Sequence, residues 1–291
     1  MSQRLQRLTL KPEQNSHSPE VGQILALLPE QQRYLLRTLR LTAGHKFIAI
    51  ITQNQIDLKQ PHAMHHGTWW EAEIINDGEF QLVMPLENHR ELGVNLKLAI
   101  GIPKGNGLED IIRQATEIGV HEIYPLYTER TILKPHTPPS HAKQERWQRI
   151  AAEAAELACR PVVPVVHRPQ VWGDWLKNYG SDLSTNLDTD LDLALMEQDL
   201  KLICVTHDAP HLLSVLESKI MEFAANHPHN HKHKGIDSIT VLIGSEGGWT
   251  LAEETATITQ GFVPVSLGKR ILATVTAPLV ALSLVSATLE Q

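Results

Sequence analysis

The chain has 291 residues, 42% of them hydrophobic, which is enough for one large domain or two ordinary ones with real cores. Its two cysteines, Cys159 and Cys204, are too few and too far apart for a disulfide framework or a cysteine-based zinc site, and both are expected to be small buried residues in a reducing compartment. Net charge is −7, but residues 182–199 hold six acids and no Lys or Arg; without them residues 93–291 balance at 17 against 17, so bulk charge neither predicts nor excludes a nucleic-acid partner.

The opening residues, MSQRLQRLTLKPEQ, lack the apolar core of a signal peptide, so export is not expected. Up to about residue 90 the apolar runs are short and strand-like: RLTL, KFIAIIT, WWEAEII and EFQLVMPL. The last two are joined by Asn76-Asp77-Gly78, a hairpin signal. One helix, PEQQRYLLRTLRL (29–41), interrupts this β-rich domain and sets Arg33, Arg37 and Arg40 near one face, which is either solvated or in contact with phosphates. Trp69 and Trp70 are adjacent in a strand and so point to opposite sides; at most one can stack on a base, and the other belongs in the core. His62, His65 and His66 fall in a polar loop.

From residue 94 the pattern changes to strand, helix, strand. VNLKLAIGI precedes GLEDIIRQATEIGV, whose Leu108, Ile111, Ile112, Ala115 and Ile118 recur at helical spacing, with Gly119 as the stop. Glu117, late in that helix where the dipole disfavours an acid, points to a specific partner or a surface ion pair. EIYPLYT, a strand, is followed by the helix QERWQRIAAEAAELA, the acidic segment, the strand LICVTH and the tract HPHNHKHKG. His227, His229, His231 and His233 in that tract lie in a flexible polar loop, and no physiological metal is expected there. TVLIGSEGGWTLAEE is a strand that stops at Gly244, a glycine turn, and a helix opened by the capping box Thr250/Glu253. The strand FVPVSL, the turn GKRIL and the helix APLVALSLVSATL close the chain; Pro278 and several Ser and Thr residues favour a buried helix over a membrane span. Alternation of strands and helices implies a mostly parallel sheet, whose ligands bind beyond the carboxyl ends of its strands.

Two turns lie at those ends, Gly244 to Gly248 and Leu267 to Leu272. Glycine lets backbone approach a ligand, yet the first turn has neither the spacing of a dinucleotide fingerprint nor the ending of a P-loop. IGSEGGWTLAEE, SLGKRILATVTA, PKGNGLEDIIRQATEIGVHEIYPLYTERT, AAEAAELACRPVVP and LLRTLRL, highly specific as a set, make the chain resemble the ribosomal RNA small-subunit methyltransferase E family of the SPOUT superfamily over essentially its whole length.

The resemblance implies a small PUA-like β-rich RNA-binding domain (1–90) before a SPOUT methyltransferase domain (94–291), a parallel α/β fold whose C-terminal segment is threaded into a trefoil knot. It implies S-adenosylmethionine as cofactor, held by Ile243, Gly244, Gly247, Gly248, Leu267, Gly268, Ile271 and Leu272. The implied activity is methylation of N3 of a uridine in small-subunit ribosomal RNA, free or assembled, by a cytoplasmic homodimer without DNA or membrane partners. Uridine N3 is a weak nucleophile until its proton leaves, so groups that stabilise the anion are needed; Arg270 is the candidate, with Lys104 and Arg160 as candidates for the RNA backbone. The chain departs from the family pattern at Ala273 (Arg in the family), Val275 (Glu), Ser245 (Pro), Leu157 (Gln) and Ala158 (Ser). Ala273 and Val275 keep alive an alternative, a dimer that binds cofactor and RNA but transfers methyl slowly or not at all; a third is a related SPOUT enzyme with a different RNA target.

Overall fold

The computed structural model describes residues 5–10, 14, 18–51, 68–87, 91–132, 140–181, 199–226 and 236–290. The two histidine tracts and the acidic segment up to residue 198 lie outside these. The chain divides into two compact units, Met1–Glu91 with Cys159–Val163, and Leu92–Ala158 with Pro164–Gln291.

The first unit is a five-stranded sheet of β1 (Arg7–Leu10), β2 (Ile24–Ala26), β3 (Lys46–Ile51), β4 (Thr68–Asn76) and β5 (Glu79–Leu86), in the order β1-β3-β4-β5-β2. Only β1–β3 is parallel. Alternation sends Phe47, Ala49 and Ile51 and, on the next strands, Trp70, Ala72, Ile74, Phe80 and Leu82 into one core. Phe47 and Phe80 meet edge to face there, with centroids 5.3 Å apart. Gly78 N–H donates to Asn76 Oδ1 (2.9 Å) in the expected hairpin turn. Trp69 and Trp70 are both buried, so neither is offered to RNA; Trp69, on the side away from the main core, lies under the Arg7 guanidinium at 5.5 Å. The short edge strand β2 carries no alternating pattern long enough to be read from sequence.

The helix expected over 29–41 is shorter and irregular. α1 (Pro29–Gln32) passes into a π-helical turn, Arg33–Thr38, which Leu35 anchors in the core. Arg40 lies beyond its end with φ +58°, a left-handed conformation that costs a residue with a Cβ about 1–2 kcal/mol. Arg33, Arg37 and Arg40 are exposed.

The second unit is a parallel sheet of β6 (Asn95–Gly101), β7 (Glu122–Tyr127), β8 (Val165–Val166), β10 (Asp199–Val205), β11 (Ser238–Ile243) and β12 (Val263–Ser266), ordered β12-β10-β11-β6-β7-β8, with β9 (Gln170–Val171) also on β7. The helices are α2 (Gly107–Ile118), α3 (His141–Leu157), α4 (Trp172–Ser181), α5 (Leu212–Asn226), α6 (Leu251–Thr259) and α7 (Ala277–Leu289). α2 buries its apolar stripe and stops at Gly119, φ +115°. Strands β6 and β11 are buried on both faces over Leu98–Gly101 and Ile239–Ile243. Ala99 and Leu242 meet Trp175, Leu176 and Phe262 on one side, and α7 packs on β11, α2 and α5. α4 and α5 are additions to the sequence reading. Among the described residues no helix is long and apolar enough to cross a membrane. Neither Cys159 nor Cys204 is in a disulfide, and both are partly buried rather than buried as expected.

Candidate active site

Because every strand of the second sheet runs the same way, the ends of β6, β7, β10, β11 and β12 open onto one edge, and their loops gather there. The glycine turn after β11 is seated on β6: a Cβ at Gly101 would stand 2.4 Å from the amide nitrogen of Ser245 and 2.9 Å from the Gly244 carbonyl carbon. Only glycine permits that approach. Ser245 is itself buried, its hydroxyl 3.2 Å from that of Thr128 at the end of β7. Arg130 crosses Gly247, donating from Nη1 to its carbonyl (2.9 Å), and its Cβ lies 2.7 Å from where a side chain at Gly247 would begin. Gly247 is therefore required by Arg130, a packing reason independent of any ligand.

Thr250 and Glu253 form the expected capping box on α6. Glu253 also does something the motif does not announce: buried at 4% exposure, its Oε1 accepts the Glu129 N–H (2.8 Å) while Oε2 accepts that of Thr250 (3.0 Å). It thus ties the β7 and β11 loops together. On the β10 loop, His207 Nε2 lies 2.6 Å from Glu254 Oε1, and this hydrogen bond raises the imidazole above its ordinary pKa. Trp249 Nε1 donates to the Cys204 carbonyl (3.1 Å) at the end of β10.

The Pro-Lys-Gly segment after β6 touches both signature turns. Lys104 is exposed, and its N–H donates to Glu246 Oε1 (2.7 Å). A Cβ at Gly107 would meet Val275 Cγ1 at 3.0 Å, so Val275 leans on the start of α2. In the second turn the Ser266 hydroxyl accepts the Gly268 N–H (3.1 Å). Gly248 (φ +69°) and Gly268 (φ +112°) both need left-handed backbone, and a Cβ on either would meet no protein atom within 4 Å. Ile243 is buried at the end of β11, and Gly244 is buried beside it. Leu267 and Leu272 are half-buried, and Arg270, Ile271 and Ala273 are exposed, Ile271 at 83%.

Arg160 is placed differently from expectation. It is 3% exposed, and its Nε and Nη2 grip the Glu91 carboxylate at 2.7 to 3.2 Å within the first unit. A guanidinium so enclosed offers no charge to an RNA phosphate. Glu117 is exposed late in α2. Gly101, Thr128, Arg130 and the second role of Glu253 escape sequence reasoning, since each depends on contacts between distant segments; the glycine ending β6 is the one signal that could have been noticed.

Residues 90–286 match the family described as an RNA methyltransferase domain. The ribosomal RNA small subunit methyltransferase E of Synechocystis sp. is 36% identical over 286 residues, covering 98% of this chain and 78% of that protein. The chain belongs to the ribosomal RNA small subunit methyltransferase E family. Another member, from Bacillus subtilis, is 34% identical over 198 residues, 68% of each chain. In fold, the chain is similar to the Neisseria gonorrhoeae member of the family, crystallised with S-adenosylmethionine, at a TM-score of 0.66 and 23% identity over 98% of each chain. It is also similar to a methyltransferase of Legionella pneumophila, at 0.64 and 23% over the same share.

Proposed function

We propose that this protein transfers a methyl group from S-adenosylmethionine to N3 of a uridine in small-subunit ribosomal RNA. The observation that carries the reading is the pair of left-handed glycines, Gly248 and Gly268, set in the family's two signature turns at one edge of the sheet, each with open space where a side chain would be. Bare backbone beside open space fits a cofactor recognised through amides and carbonyls. Ile243, Gly244, Gly248, Leu267, Gly268, Ile271 and Leu272 would line it, with Gly247 shaping the turn.

When bound, the cofactor supplies an electrophilic methyl group on a sulfonium. The chain's own work is alignment, worth several kcal/mol when acceptor and donor meet in line. Arg270, exposed on the second turn, offers a permanent cation to the uracil oxygens as N3 gives up its proton to solvent, lowering the cost of the anion that accepts the methyl group. Lys104, exposed on the loop that touches the glycine turn, serves the RNA backbone.

The second unit is read as a SPOUT domain whose C-terminal segment is threaded into a trefoil knot. In support, β12 is an edge strand while α7 packs back on β11, α2 and α5, so the chain must return across the sheet between them. The first unit is read as a PUA-like RNA-binding domain on the strength of its five-stranded sheet over one apolar core and its exposed arginines. The protein acts as a cytoplasmic homodimer; Leu279, exposed on the otherwise apolar α7, suits a subunit interface. Titration of S-adenosylmethionine against the wild type and Gly248→Val tests the site: tight binding lost in the variant supports it, and equal affinity removes the turn from cofactor binding.

A second reading, slow or absent transfer by a cofactor- and RNA-binding dimer, is favoured by Ala273 and Val275, which present no polar group at positions open to solvent. A gain in turnover in the double variant Ala273→Arg/Val275→Glu would support it; an active wild type with no gain would dismiss it.

A further inference from the structure

The π-helical turn of the first unit concentrates two unusual backbone features on one exposed surface. Leu39 N–H donates to the Tyr34 carbonyl (3.0 Å), a bond spanning five residues, and Leu41 N–H reaches back to the Leu35 carbonyl (3.0 Å), spanning six. The chain makes that closure by putting Arg40 at φ +58°, where a helix end ordinarily has glycine. Widened turns and left-handed residues with side chains are uncommon and gather at functional sites.

Packing explains the leucines of this turn but not its other residues. Leu35 fills the core, and Leu36, Leu39 and Leu41 pack against it. Arg33, Arg37 and Arg40 are exposed, and Tyr34 among them keeps 41% of its surface open. Neither indole of Trp69 and Trp70 is available, as both are buried. On the strand face of the same unit, Glu71, Glu73 and Glu79 predominate, and the Lys46 ammonium is held by Glu71 at 2.6 Å. A polyanion is thus repelled from the strands and drawn to the turn. An exposed aromatic ring flanked by arginines is the combination that binds single-stranded RNA: guanidinium groups take the phosphates, and the ring takes the face of a base not already stacked in a helix.

We infer that Tyr34 is a base-stacking residue in a patch with Arg33, Arg37 and Arg40, and that this patch takes an unpaired nucleotide of the RNA substrate. The inference rests on the RNA methyltransferase reading above and adds the strand state of the RNA and the residue that selects it. It also explains why Arg40 is kept where glycine would be less strained: its charge is used on the RNA.

The test measures binding of the full chain to a short unstructured oligoribonucleotide and to a duplex of the same sequence, with Tyr34→Ala, Tyr34→Phe and Arg40→Gly. Tyr34→Ala should weaken single-strand binding about tenfold, equivalent to about 1.4 kcal/mol, and leave duplex binding within twofold. Tyr34→Phe, which keeps the ring, should stay within twofold of the wild type on both. Arg40→Gly should unfold at the same or a higher temperature, yet bind RNA more weakly and with a shallower salt dependence. Single-strand affinity unchanged in Tyr34→Ala, or equal losses on strand and duplex, would overturn the stacking role while leaving the RNA reading in place. A wild-type protein that binds neither RNA would overturn both.

Discussion

The end of β6 touches the glycine turn so closely that a single methyl group at Gly101 would fall 2.4 Å from the backbone nitrogen of Ser245. Both partners in that clash are backbone, so neither can swing aside. Gly101→Ala should destabilise the protein by about 1–3 kcal/mol and weaken cofactor binding, because the turn must move. Gly248→Ala should cost about 1–2 kcal/mol for a different reason, its positive φ, since the space there is open. Gly173, in the first turn of α4 with nothing nearby, is the control: Gly173→Ala should gain about 0.4–1 kcal/mol. Chemical denaturation of the three variants separates crowding, strain and neither.

Glu253 joins two loops through one carboxylate. Removing it leaves the part-buried N–H groups of Glu129 and Thr250 without their acceptor, so Glu253→Ala should cost about 1–3 kcal/mol, two hydrogen bonds at about 0.5–1.5 kcal/mol each. Thr250→Ala removes only the cap and should cost about 1 kcal/mol. Equal losses in the two variants would mean that the bond to Glu129 contributes nothing.

Glu122, at the start of β7, gives the protein an acid-sensitive element at the opposite end of the strand from the carboxyl ends where the loops gather. Burial alone would push its pKa up. The hydrogen bond from His167, with Lys97 and the Tyr124 hydroxyl, outweighs burial and brings it from 4.5 to about 2. A carboxylate depressed on folding contributes stability above its unfolded value that is lost as pH falls through the folded value. The contribution, on the order of 3 kcal/mol, is therefore present above about pH 4.5 and gone near pH 2. Glu122→Gln should lower stability at pH 7 and flatten the acid limb of a stability-versus-pH curve; an unaltered acid limb would contradict this assignment.

How much of this was legible depended on how local each feature is. The stripe Leu108, Ile111, Ile112, Ala115 marks α2 because helix period and burial coincide, and Gly119 ends it in the left-handed conformation that its type suggests. α5 obeys the same rule through Leu212, Leu216 and Ile220, while α4, with glycine near both ends, depends on Trp175 and Leu176 reaching the sheet. The paired tryptophans misled because alternation predicts sidedness, whereas burial on both sides depends on Arg7 and the rest of the unit. Arg160 and Glu91 are 69 residues apart, and Thr128 and Ser245 are 117 apart; no local pattern signals such pairs.

Arg270 is exposed on the second turn, and its side chain is not among the groups proposed to line the cofactor, so its removal should leave the fold and cofactor affinity within error of the wild type. If it stabilises the uridine anion, Arg270→Ala should lower turnover about 10²–10³-fold, the loss typical of one group that stabilises developing charge. Full turnover in the variant would remove Arg270 from the mechanism.

The most direct measurement is transfer of labelled methyl from S-adenosylmethionine into unmodified small ribosomal subunits, with nucleoside analysis of the product RNA. The account predicts 3-methyluridine, formed by the wild type and nearly lost in Arg270→Ala. Cofactor binding with no methylated nucleoside, or methylation at any atom other than uridine N3, would contradict it.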